Sequence, residues 1–259
     1  MQYIDTHTHL DGEEFAEDLA QVVQRCKDAG CTKAFIPAID LKGLPRIMQL
    51  CDEYKGWAYP MIGLHPEEIN ADFIDTLKQM HTMLAANPSE FIAVGEVGLD
   101  YYWSRDFYDE QLVAFEEQVK WAVEFRLPLM IHCRKAQNEM VKILRKYKAE
   151  LPGGVFHCFT GNEQEARELL SFRNFVLGIG GVLTFKKSHL PEVLPAAVPL
   201  QRIVLETDSP YMAPVPKRGE RNDSSYIPYI ITKLAEAYGV SEDEICKQTN
   251  DNVARLFRV

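Results

Sequence analysis

Short runs rich in Ile, Val, Phe and Leu recur along the whole chain, separated by longer stretches whose apolar residues fall at helical spacing. The runs read as strands are Gln2–Thr6, Lys33–Ile39, Trp57–Leu64, Phe91–Val97, Leu127–Cys133, Gly154–Phe159, Phe175–Ile179 and Arg202–Thr207. Between the fourth and fifth runs, Tyr108, Leu112, Phe115, Val119, Ala122 and Val123 step by three and four, which places them on one helix face with charged residues opposite. Further helices are expected at Phe15–Ala29, Leu41–Glu53, Ala71–Ala86, Ala136–Lys148, Glu163–Phe172 and Tyr226–Tyr238. Ser241 with Glu244 reads as a capping box that opens a last helix running to Leu256. Alternation of this kind is built from βα units, and about eight strands is the number a closed parallel (βα)8 TIM barrel requires.

Length agrees with that reading, because barrels of this type often occupy about 250 residues as one domain. A single domain over residues 1–259 is therefore expected, with no Pro/Gly-rich linker or low-complexity tract to divide it. The opening MQYIDTHTHLDG lacks a basic segment followed by an apolar one, and no stretch reaches the roughly 18 apolar residues of a membrane span. The chain is expected to be cytoplasmic, and a monomer by default. Its six cysteines show no paired metal-type spacing and read as reduced thiols. Cys133 and Cys158, each following a histidine, are expected to turn toward the surrounding helices as core thiols. A net charge of −10 gives no support for long-range capture of a polyanion, so any nucleic-acid substrate must be held locally. The irregular stretch Met212–Ser225, with its prolines and the charged run at Lys217–Arg221, reads as a surface loop over the barrel mouth.

Within the strand pattern, certain positions break the apolar rule. His7 and His9 stand two apart in an extended segment and so point to one side, where they can converge on one ion. Glu96 in AVGEVGLD, His132 in LMIHC, His157 in VFHCF and Asp208 in IVLETDSP each interrupt the C-terminal end of an apolar run. Active sites of (βα)8 barrels are assembled at that end. Taken singly, such residues could cap loops or satisfy backbone groups. Gathered in one mouth, two carboxylates and several imidazoles would be costly to bury without divalent cations to stabilise them.

The segments IDTHTHLD, IGLHPE, VGEVGLDYY, LPLMIHCRKA, GVFHCFTG, LGIGGVLTFK, VLETDSPYMAP and NDNVARLF, in this order from end to end, resemble the TatD family of metal-dependent deoxyribonucleases. That family has an amidohydrolase-like TIM barrel of the metallo-dependent hydrolase type. The resemblance implies two divalent cations (Mg, Mn or Zn), with His7, His9 and Asp208 on one, His132 and His157 on the other, and Glu96 bridging both. Two ions about 3.5–4 Å apart can clamp a phosphodiester, activate water and stabilise the leaving oxygen. It also implies a DNA or oligonucleotide substrate, single-stranded and trimmed from the 3′ end.

Asp208 and Glu96 are the candidate catalytic groups, Asp208 as a ligand that also accepts the water's proton, or as a ligand alone. His65 is implied to face substrate phosphate, the other reading being a cap on the turn before Pro66. Arg134, two residues after His132, could reach phosphate or form a salt bridge at a helix start. Glu206 shares a face with Asp208 and could bond a ligand, orient water or fill the barrel interior. Asp100, Tyr101, Tyr102 and Trp103 could form a base-stacking wall or simply pack a loop. Where the family often has Arg-Asn-Glu-Pro, this chain reads Arg221-Asn222-Asp223-Ser224, which puts loop geometry and substrate contact there in doubt. The competing functions are a metal-dependent hydrolase of a small ester, lactone or amide and a barrel that binds without catalysing.

Overall fold

The structure is a computed structural model and describes residues 1–102, 106–257 and 259. The strands are β1 (Tyr3–Asp5), β2 (Cys31–Ile36), β3 (Ala58–Ile62), β4 (Ala93–Asp100), β5 (Leu129–Arg134), β6 (Gly154–Phe156), β7 (Phe175–Ile179) and β8 (Ile203–Leu205). They form one sheet in chain order, each neighbouring pair parallel. Most are buried along their whole length, which is why they read as continuous apolar runs and not as alternation. Closure falls to β1 and β8. Thr6 gives both its backbone N–H and its hydroxyl to the Leu205 carbonyl at 3.0 Å, and just above them Asp208 N–H bonds His7 O at 2.9 Å and His9 N–H bonds Ser209 O at 2.9 Å. Asp5 fastens the seam, its carboxylate accepting from the backbone N–H of His7 and Thr207 and from the hydroxyls of Thr207 and Ser224.

The helices are α1 (Leu19–Asp28), α2 (Leu44–Glu53), α3 (Phe73–Ala86), α4 (Tyr108–Phe125), α5 (Gln137–Lys146), α6 (Glu163–Leu169), α7 (Leu190–Ala197), α8 (Ile227–Tyr238) and α9 (Glu242–Phe257). The first expected helix begins later than its pattern suggested, because Glu13–Phe15 forms a separate 3₁₀ turn. The pattern did not suggest α7. Pro191 suits its first turn, and Pro195 interrupts the spacing that would have revealed it. On α4 the buried face is rotated from the expected one and includes Gln111 and Gln118, each of which clamps one backbone residue as donor and acceptor. Gln118 holds Leu64 at 2.7 and 3.1 Å, and Gln111 holds Asp100 at 2.9 and 3.1 Å. Among the described residues no helix is long and apolar enough to cross a membrane.

Inside the barrel, the end nearest the strand N-termini is filled by Ile4, Phe35, Met61, Met130, Val155, Val176 and Val204. Phe257, the last residue of α9, closes this layer from below, its ring packed edge-on against Phe35 at 4.9 Å. Such layers make the barrel interior a packed core, so the polar residues gather at the opposite end.

Candidate metal centre

Two glycines decide where β4 delivers Glu96. A Cβ on Gly95 would lie 2.4 Å from the Met130 Cβ, and one on Gly98 would lie 1.8 Å from the His132 carbonyl oxygen. Only glycine lets β4 press so closely on β5, and the register between the two strands slips between Val94 and Val97, across the Glu96 position. Glu96 is thereby turned into the barrel mouth, 2 % exposed.

Around it the expected residues converge. Glu96 Oε2 lies 3.2 Å from His7 Nε2 and 3.5 Å from His9 Nε2. Those two nitrogens are 3.2 Å apart, and Asp208 Oδ1 is 3.7 Å from each. The other oxygen, Glu96 Oε1, lies 2.8 Å from His157 Nε2 and 3.0 Å from His132 Nδ1, with those nitrogens 3.3 Å apart. The two oxygens of one carboxylate thus serve two separate groups of donors. Ligands about 2.0–2.1 Å from a tetrahedral ion are about 3.4 Å from one another, close to the spacing of the first group.

Hydrogen bonds made on the far side of two imidazoles fix whether the nitrogen facing the centre carries a lone pair or a hydrogen. His132 donates from Nε2 to Asp100 Oδ2 at 2.8 Å, leaving Nδ1 to face Glu96. His65 differs. Its Nδ1 accepts the Glu67 backbone N–H at 3.2 Å, so its neutral ring presents an N–H at Nε2, 3.4 Å from Glu96 Oε1. His65 therefore both caps the turn, as one reading had it, and faces the site, as the other did; it does so as a donor suited to an anion.

Electrostatics reflect this crowding. Burial opposes ionisation of Glu96, yet the imidazoles of His157, His7 and His65 hold its carboxyl well below the usual range. Burial also opposes charging of His9 and His132, but Glu96 and Asp208 push His9 up to about 9, and Asp100 and Glu96 push His132 up to about 10. His7 is driven down to about 3 by burial and by His157, whose ring stacks on it at 4.0 Å. Burial raises Asp208, with Glu96 adding to it, against the opposing pull of the His157, His9 and His132 imidazoles.

Glu206 and Arg134 divide from the ligand set. Glu206 is fully buried, accepts the Cys158 backbone N–H, and brings Oε1 within 3.9 Å of His157 Nδ1. Both His157 Nδ1 and Glu206 Oε2 are buried without a hydrogen-bond partner, so Glu206 stands behind a histidine and not in the open mouth. Burial pushes its carboxyl up to about 8. Arg134 is exposed and lies flat over the Tyr102 ring at 3.7 Å. Tyr102 is thus part of the rim, Asp100 turns inward to His132, Tyr101 stacks on Tyr108 at 4.2 Å, and Trp103 lies outside the described residues.

Cys158 departs from expectation. Because β6 ends at Phe156 and Cys158 takes a left-handed conformation (φ 50°), strand alternation does not reach it, and its half-exposed thiol lies 3.6 Å from the Met212 sulfur. The departing segment of the last loop is structural. Asn222 donates to the carbonyls of Thr207 and Tyr211, Asp223 pairs with Arg25, Ser224 reaches Asp5, and Arg221 is tied to Asp18.

A parallel (βα)8 barrel carrying four imidazoles and two carboxylates at its C-terminal mouth, split between the oxygens of one glutamate, defines a metal-dependent hydrolase. The model of the TatD related DNase family matches residues 4–258, and the chain belongs to that family. It is 36 % identical over 257 residues to the metal-dependent hydrolase YabD of Bacillus subtilis, covering 98 % of each chain. It is 32 % identical over 260 residues to the 3′-5′ ssDNA/RNA exonuclease TatD of Pectobacterium parmentieri, covering 98 % of this chain and 99 % of that one. The crystal structure of YjjV, a TatD homologue of Escherichia coli, superposes with a TM-score of 0.91 at 30 % identity over 99 % of this chain and 98 % of that one.

Proposed function

We propose that this chain hydrolyses phosphodiester bonds of single-stranded nucleic acid from the 3′ end, as one domain over residues 1–259, acting as a monomer in the cytoplasm. The observation that carries the reading is the division of Glu96 between two donor groups, which fits two divalent cations. Seven nitrogen and oxygen donors face one another at 2.8–3.7 Å with most of their side chains buried, an arrangement that a pair of cations stabilises. Four imidazoles favour Zn²⁺ or Mn²⁺ over Mg²⁺.

His7, His9 and Asp208 would hold one ion, His132 and His157 the other, and Glu96 both. When bound, such a pair lowers the pKa of water and offsets charge on the phosphoryl oxygens. Asp208 turns Oδ1 to the His7–His9 pair, and its carboxylate is the group assigned to take the proton of the attacking water. His65, an Nε2–H donor in its neutral form, would bond a phosphate oxygen. Asp100 holds the His132 tautomer, and Glu206 stands ready to accept from His157 Nδ1. Exposed Arg134 and Lys135 at the same mouth favour a phosphodiester over a neutral ester, lactone or amide.

Metal-stripped protein, restored with Mg²⁺, Mn²⁺ or Zn²⁺ and offered single-stranded DNA, duplex DNA and a p-nitrophenyl ester, tests this. Metal-dependent release of nucleotides from the single strand is the expected result. Hydrolysis of the ester with no cleavage of any strand would replace the nuclease reading by the small-substrate one.

A further inference from the structure

The barrel order places the loops after β1 and β3 across the mouth from those after β5 and β7. Their charges are segregated. Residues 6–18 and 63–72 contain no Lys or Arg and expose Glu14, Glu17, Glu67 and Glu68. Among the described residues these four carboxylates make no salt bridge; Glu67 turns inward, its carboxylate within 4.8 Å of ring nitrogens of His65 and His132, while Glu14, Glu17 and Glu68 stand on the rim. On the opposite side, Arg134 and Lys135 follow β5, Lys186 and Lys187 follow β7 in a segment, residues 180–189, without an acidic residue, and Arg218 lies in the loop after β8.

Aromatic rings interleave with these cations. Arg134 and Lys135 lie over Tyr102 at 3.7 and 4.9 Å, and Arg218 lies over Phe185 at 3.9 Å. Cations alternating with stacking rings are the pattern that single-strand binding surfaces use. A groove of about 590 Å³ also opens on this side, beginning at His157 and lined by Lys135, Asn138, Thr160, Asn162 and Gln164. Two of its carboxylates are already engaged, Glu165 by the Asn162 N–H and Glu168 by Arg145 and Gln137. Its volume lies within the range of about 300–1,000 Å³ typical of small-ligand sites, enough for part of a nucleotide chain.

We propose that the nucleic-acid strand lies only on the β5–β8 side of the metal centre, and that the acidic loops after β1 and β3 admit the terminal nucleotide but repel any phosphate beyond it. This rests on the nuclease reading above and adds its directionality. A continuous strand crossing the centre would have to lay further phosphates beside Glu14, Glu17 and Glu68, within a screening length of about 8 Å at physiological salt. A strand that ends there does not. The requirement for a free end is therefore electrostatic, set by the loops after β1 and β3, which contain no Lys or Arg in residues 6–18 and 63–72.

The test uses the metal-loaded enzyme, a linear single strand, the same strand circularised, and a dinucleotide that occupies the centre alone. Dinucleotide turnover should stay within about twofold in every variant and so reports intact folding and chemistry. The combined Glu14→Lys, Glu17→Lys, Glu68→Lys variant should nick the circle at least about tenfold faster than wild type. The combined Lys186→Glu, Lys187→Glu variant should raise KM for the linear strand several-fold and flatten its salt dependence. A circle left intact by the first variant, or an unchanged linear-strand KM in the second, overturns the proposal while wild-type exonuclease activity stands. Wild-type protein that cleaves no linear strand refutes the nuclease reading itself.

Discussion

The two ends of the barrel are built from the same eight strands and obey opposite rules. At the strand N-termini, Ile4, Phe35, Met61, Met130, Val155, Val176 and Val204 fill the interior and Phe257 closes it, an apolar layer held by packing. At the other end, His7, Glu96, His132 and His157 stand in the same interior, and each orientation is fixed by a hydrogen bond, a glycine or a neighbouring ring. A packed layer tolerates replacement by anything of similar volume, whereas a ligand set tolerates almost nothing. Stability and chemistry are thereby separated along one axis, and substitutions at the two ends should report on different quantities.

The sharpest break comes at Glu96. Glu96→Ala removes the carboxylate shared by both donor groups and leaves four imidazoles facing one another. Activity should fall below detection in a nuclease assay, while circular dichroism shows an intact barrel. Next in size is Asp208→Asn, which keeps the shape but removes basicity; turnover should drop about 10²- to 10⁴-fold while elemental analysis finds metal content close to wild type. Loss of metal in step with loss of rate would reduce Asp208 to a ligand.

At the apolar end, Phe35→Ala empties the space between Tyr59 and Phe257 and should cost about 3–5 kcal/mol in denaturant unfolding. Turnover per folded molecule should not change. A fall in kcat matching the fall in stability would show that the two ends are coupled. A smaller effect is expected at Asp100→Asn, which frees His132 Nε2 from its carboxylate. Metal affinity at the His132–His157 side should weaken about 10- to 100-fold, read by competition with a chelating dye.

Smallest is the proton count. His9 and His132, raised to about 9 and 10, are protonated at neutral pH and must lose that proton to bind a cation. Metal uptake at pH 7 should thus release about two protons, seen as a buffer-dependent heat of binding. Affinity should rise with pH and level off above about 10.

The apolar strands and the candidate ligands both stand out in the sequence, for one reason. A parallel strand buried on both sides tolerates no polar residue without cause, so Glu96, His132, His157 and Asp208 stood out against Ile, Val and Leu. What supports them did not stand out. Asp100 looked like a loop residue because β4 was expected to end at Val97, yet Gly98 carries the strand on to Asp100 and turns its carboxylate to His132. Gln111 and Gln118 fell among polar residues on a helix, and only the approach of α4 to β3 and β4 shows that they clamp Leu64 and Asp100. Asp5 likewise reads as one acid near a histidine pair, and its four donors come from segments about two hundred residues away as well as from His7. Such partners are set by tertiary contact, which local spacing does not encode.

The claim on which the rest depends is that one carboxylate joins two ions. Electron paramagnetic resonance of the metal-free protein titrated with Mn²⁺ measures it directly. Two equivalents should bind and give the broadened spectrum of an exchange-coupled pair, and Glu96→Gln should abolish that coupling. Saturation at one equivalent, or two independent six-line signals that Glu96→Gln leaves unchanged, would contradict the bridged centre.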